Sequence, residues 1–179
     1  MAVILELQHE RRRIVARRGF AGWAKRFPDL LNEKTCMADL SDTMLRALGQ
    51  SGEASSTLIH DLVIRLMGLG NGVGFHDLAR EARLAVMDVS MFLLDQIRFE
   101  VMRRLGWVEN SPVFHVPILD LVERFPTVYS SMKGHSPALL RSHPRYHEYQ
   151  KAFEGDRSVI VRRLIPDALE AFQEEDKGA

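Results

Sequence analysis

Between Leu84 and Gly106 the chain reads LAVMDVSMFLLDQIRFEVMRRLG, and no other stretch restricts the fold so strongly. Val86, Val89, Leu93, Ile97, Val101 and Leu105 recur at helical spacing, and Met87, Met91, Leu94, Phe99 and Met102 fill the remaining sides. A helix that is apolar on most sides has to be wrapped, by neighbouring helices or by a second copy of the chain. Asp95, Gln96 and Arg98 make it too polar to span a bilayer. Arg103 and Arg104 suit the carbonyl end of the helix dipole, and Gly106 suits the left-handed residue that follows a helix. Asp95 with Arg98, and Glu100 with Arg104, are expected to pair along the helix. The alternative is that this polar stretch faces a cavity.

The rest of the chain supplies the wrapping. The expected fold is all-α: one domain over residues 1–179, an irregular or orthogonal bundle of about seven to nine helices around a central helix at 86–105. A first helix is expected over Ala2–Arg18, ended by Gly19, and a second over Cys36–Leu48 behind Thr35. A third is expected to be capped by Ser55 or Ser56. The glycine-rich loop from Gly68 to Gly74 then leads to a short helix at Phe75–Arg83. In the second half Pro117 starts a helix, Ser136-Pro137 and His143-Pro144 look like successive helix starts, and a last helix bends at Pro166. Period-2 alternation, the mark of strands, is missing.

Of the 179 residues, 46% are hydrophobic and 27% charged, which fits a globular chain and not a disordered one. The one cysteine, Cys36, excludes an internal disulfide framework. The apolar start AVILEL is broken by Glu6 and followed by arginines, so neither a signal peptide nor a membrane span is expected, and a cytoplasmic location follows. Charge sums to zero but is uneven. Arg11, Arg12, Arg13, Arg17, Arg18, Lys25 and Arg26 face only Glu6 and Glu10 in the first 28 residues. Asp167, Glu170, Glu174, Glu175 and Asp176 make residues 167–179 an acidic tail. Such a head and tail can pair with each other or serve different partners.

Four groups of residues point to chemistry or recognition. From Leu78 to Leu93 the sequence LAREARLAVMDVSMFL resembles a helix-turn-helix, with Leu78, Ala79 and Ala82 in a first helix, Leu84 in the turn, and Val89 and Leu93 anchoring a second. That resemblance implies DNA binding, although Arg83 stands where the turn favours glycine and the exposed residues would offer few hydrogen bonds to bases. The same spacing fits a plain helical hairpin. The N-terminal arginines Arg11, Arg12, Arg13, Arg17 and Arg18, interleaved with Phe20, Trp23 and Phe27, suit phosphates and unpaired bases, an anionic membrane, or simple solvation.

His60-Asp61 and His76-Asp77 resemble the metal-binding dipeptide of HD-type phosphohydrolases. That resemblance implies a divalent ion on His60, Asp61, His76 and Asp77. The segment with Lys133, His135, Arg141, His143, Arg145 and His147 reads as an anion-binding, pH-sensitive or metal-binding face, or a wet basic surface. No nucleophile–base pair and no complete ligand set can be assembled, so no catalytic residue and no cofactor is assigned. The expectation is a small regulatory or adaptor-type binding protein. Its contact surfaces would be the basic N-terminal helix and the histidine-rich segment, and its partner another protein or a second copy. Nucleic-acid binding and HD-like hydrolysis are the alternatives.

Overall fold

The computed structural model describes residues 2–132 and 134–175, and these are all-helical. Eight α-helices run in the order α1 (Ala2–Ala24), α2 (Asp42–Gly49), α3 (Glu53–Leu66), α4 (Arg80–Arg104), α5 (Ile118–Met132), α6 (Tyr146–Lys151), α7 (Glu154–Arg163) and α8 (Ile165–Glu174). Short 3-10 turns lie at Met37–Asp39, Gly72–Asp77 and Pro112–His115. Among the described residues no helix is long and apolar enough to cross a membrane.

The central helix is α4, packed against α2, α3, α5 and α8. It is one unbroken helix of 25 residues. This corrects the short helix expected at 75–83, and it leaves no turn at 83–84 for either the helix-turn-helix that 78–93 resembles or the plain hairpin. Arg83 and Leu84 are good helix formers, and no glycine or proline stands between Arg80 and Arg104 to open a turn. The helix ends as its sequence predicts: Gly106 has φ +69°, and the amide of Trp107 donates to Met102 O at 2.9 Å.

Glu100 is fully buried near that end, and its carboxylate accepts from Arg103 Nη2 at 2.6 Å and Arg104 Nε at 2.9 Å. Arg104 continues to the carboxylate of Asp42 and to the carbonyls of Ala38 and Leu40, at 3.2 and 2.6 Å for the carbonyls. Arg98 donates to Gly49 O at 2.9 Å, so two α4 arginines hold the two ends of α2. Asp95 does not pair with Arg98 as expected. It meets Arg162 of α7 at 3.0 Å.

Other departures have local causes. Gly19 does not end α1. It lies inside the helix, where a Cβ would stand 2.3 Å from Leu66 Cδ2 and 2.8 Å from its Cγ, so the glycine permits close approach of α1 to α3. Ser41, not Thr35, caps α2 by accepting from the Met44 amide. Ser55 turns inward to donate to Ala47 O, and α3 begins earlier, behind Gly52. No helix starts at Ser136-Pro137, because the backbone there bonds sideways: Glu109 N donates to Ala138 O and Leu140 N to Trp107 O. Pro166 opens a separate helix, α8.

Two substitutions test this frame. Glu100→Ala leaves two arginine heads without their buried partner and is expected to cost about 3 kcal/mol, read from urea unfolding with an unchanged slope. Gly19→Ala adds helix propensity but drives Cβ into the buried Leu66. A net loss of about 1–2 kcal/mol is expected, and a gain in stability would contradict the close approach.

Candidate binding surfaces

The five N-terminal arginines share one exposed helix but not one environment. Ala16, Phe20, Trp23 and the following Phe27 turn α1 toward the core, and Trp23 Nε1 donates to Leu58 O at 3.3 Å. From Ile4 to Ile14 every residue of α1 is exposed. Arg12 reaches the carboxylate of Asp120 on α5, with Glu123 3.9 Å away, and Arg13 pairs with Glu10 at 2.7 Å. Thus the basic head finds acid on α5. Of the acidic tail, residues 176–179 lie outside the described residues. Arg11, Arg17 and Arg18 have no acidic partner within salt-bridge distance among the described residues. Arg11 lines an open cavity of about 580 Å³ with Arg12, Leu66, Glu123 and Pro126.

The histidine-rich segment divides into separate places. His135 Nε2 lies 3.2 Å from the hydroxyl of Ser111, and the His135 carbonyl accepts from Arg162. Ser111 is buried and also accepts from the Val113 amide, so the Ser–His pair closes a turn instead of presenting a nucleophile. His143 packs edge-on against Trp107 at 5.0 Å, and its Nδ1 accepts from the Arg145 amide. Arg145 is paired with Glu148. Arg141 and His147 are exposed, and Lys133 is outside the described residues.

His60, Asp61 and His76 do come together, lining a cavity of about 470 Å³ where the Gly72–Asp77 turn folds over α3. The Asp61 carboxylate serves the fold, however. Asp61 binds Arg65 at 2.6 Å and accepts from the Gly72 amide at 2.8 Å, while the Phe75 ring packs against the rings of both His60 and His76. Asp77 is exposed. Among the described residues no group of three or more His, Cys, Asp or Glu is arranged to hold a metal ion. Cys36 hydrogen-bonds to the carbonyls of Lys34 and His115, and burial, then nearby Asp39, pushes its thiol up and away from the reactive thiolate.

Sequence reasoning missed one further site. The N-terminal half of α4 is not wrapped all round. Leu84, Met87 and Met91 stay exposed, Met91 by 66%. Beside them, between α3 and α4, is a cavity of about 110 Å³ lined by Ser56, Ile59, His60, Met87, Ser90, Met91 and Leu94. Ser90 Oγ and His60 Nε2 are buried and have no hydrogen-bond partner. The sequence carried one signal: the i, i+3, i+7 spacing of Leu84, Met87 and Met91, which forms a stripe separate from that of Val86, Val89 and Leu93.

Burial holds His60, His135 and His143 below their ordinary value of 6.5, with Arg162 adding to the effect at His135 and Arg145 at His143. The unfolded chain therefore takes up these protons first. Stability is full above about pH 6.5 and declines as pH falls through that value. The urea midpoint is expected to drop between about pH 7.5 and 5.5, and His135→Gln to make the drop shallower. No family model, curated protein or solved structure matches this chain.

Proposed function

We propose that this chain is a binding protein of the regulatory or adaptor type, acting through contacts and not through chemistry, with the outward face of α1 as its contact surface. One observation carries the reading. Ile4, Leu7 and Ile14 are 61%, 66% and 45% exposed, on a helix face that also carries Arg11 and Arg18. The five positions follow heptad spacing, so they form a single stripe pointing away from Ala16, Phe20 and Trp23. Aliphatic area left in water is recovered at roughly 25 cal/mol per Å² when a partner covers it. Arginines alternating with aliphatic residues complement an amphipathic helix bearing carboxylates between its own apolar side chains.

A second reading, nucleic-acid binding, is favoured by Arg11, Arg17 and Arg18 having no acidic partner among the described residues. It stands second because a phosphate backbone would engage the arginines and leave Ile4, Leu7 and Ile14 wet.

Selection of displayed helical peptides against the protein tests the first reading. Acidic amphipathic sequences are expected to be enriched. Their affinity should fall at least about tenfold in Leu7→Asp and in the double variant Arg11→Glu, Arg18→Glu. Labelled single- and double-stranded DNA, titrated across salt, tests the second. Tight binding that weakens steeply with salt, together with no enriched peptide, would reverse the order of the two readings.

A further inference from the structure

The partner that the α1 stripe calls for, a helix bearing carboxylates between apolar side chains, is present in this chain. It is the first half of α4. Glu81, Leu84, Asp88 and Met91 follow heptad spacing there, with Met87 beside them. Helical periodicity puts them on the side of α4 opposite Val86, Val89 and Leu93, which are buried in the core. Leu84, Met87, Met91 and Glu81 are exposed, and Asp88 is half-buried. Neither carboxylate has a hydrogen-bond or ion-pair partner among the described residues. The cations of the same segment, Arg80 and Arg83, fall outside these positions.

Within one chain the two faces do not pair. α1 packs on α3, and its ion pairs go to Glu10, Glu33, Asp120 and Glu123. A second copy supplies each face with the other, and spacing fixes the register. Arg11 and Arg18 are seven residues apart, as are Glu81 and Asp88, so both pairs span about 10 Å of helix. With the helices antiparallel, Arg11 meets Asp88 and Arg18 meets Glu81, while Ile14 lies against Leu84 and Leu7 against Met91. The parallel arrangement keeps Arg11 on Asp88 but sets Ile4 against Glu81. It also sets Arg18 against Asp95, which Arg162 already holds.

Other surfaces of the chain match α1 less well. α8 exposes Asp167, Glu170 and Glu174, but it has no large exposed hydrophobic residue to cover Leu7 and Ile14. α1 against α1 sets two strongly basic helices together, and like charges at a contact are costly. The α4 face offers both charge and apolar area, and its flexible methionines adapt to a helix laid across them. On the reading of α1 proposed above, on which this step rests, we infer that the partner is a second copy of the chain. α1 of one copy lies antiparallel on the Glu81–Met91 face of α4 in the other, and the reciprocal contact closes a twofold dimer.

Sedimentation velocity of the full chain, at concentrations up to about 0.5 mM, reads the association directly. A dimer that weakens as salt rises is expected. Two charge-reversed variants test the contact itself. Arg11→Glu with Arg18→Glu, and Glu81→Arg with Asp88→Arg, should each raise the dimer Kd at least about tenfold while the circular dichroism stays that of the parent. Mixed in equal amounts, the two variants should pair with each other about as tightly as the parent does. One contact is then reversed on both sides and the other is native on both sides. A monomer at every concentration would overturn the second copy as partner. Enrichment of acidic helical peptides would in that case leave the reading of α1 standing, and no enrichment would sink both. A dimer indifferent to the reversals, or a mixture that fails to recover, would overturn the α1–α4 contact.

Discussion

A carboxylate buried at the end of a helix organises much of this molecule. Glu100 is costly to bury, and only the fork of Arg103 and Arg104 makes it tolerable. Because Arg104 is also the residue that reaches Asp42 and the carbonyls of Ala38 and Leu40, the group that neutralises Glu100 also fixes the entry to α2. Arg98, on the same helix, fixes the exit by binding Gly49 O, where a cation meets the negative end of the α2 dipole. α2 has eight residues, too short to be stable alone, and its position follows from α4.

Much of this was legible in the sequence because it depends on local chemistry. The apolar run, the terminal arginines and Gly106 describe the C-terminal half of α4 almost completely. The pairing of Glu100 with Arg104 follows from their spacing. What failed depended on other parts of the chain. Gly19 has the composition of a helix end, and only the approach of Leu66 shows that it is a contact point. Arg98 does not take the Asp95 that spacing would assign it, because Gly49 O reaches Arg98 from α2 and Arg162 reaches Asp95 from α7. His135 and His143 look like one face in sequence but pack on Ser111 and Trp107 respectively.

On the proposed reading, the fixed positive charge of the exposed α1 face would set a partner's encounter and orientation more than its tightness.

The uneven covering of α4 divides one continuous helix into two kinetic territories. Its last turns are tied to α2 and to a buried carboxylate, so their amides exchange with solvent only when the whole domain opens. Its first turns, exposed at Leu84, Met87 and Met91 and capped at Ala79 by no side chain, can fray without disturbing that end. A contact made on the exposed Leu84–Met91 stripe would therefore act on the looser half of the helix. It would lengthen the ordered life of those turns while leaving the Glu100 end as it was.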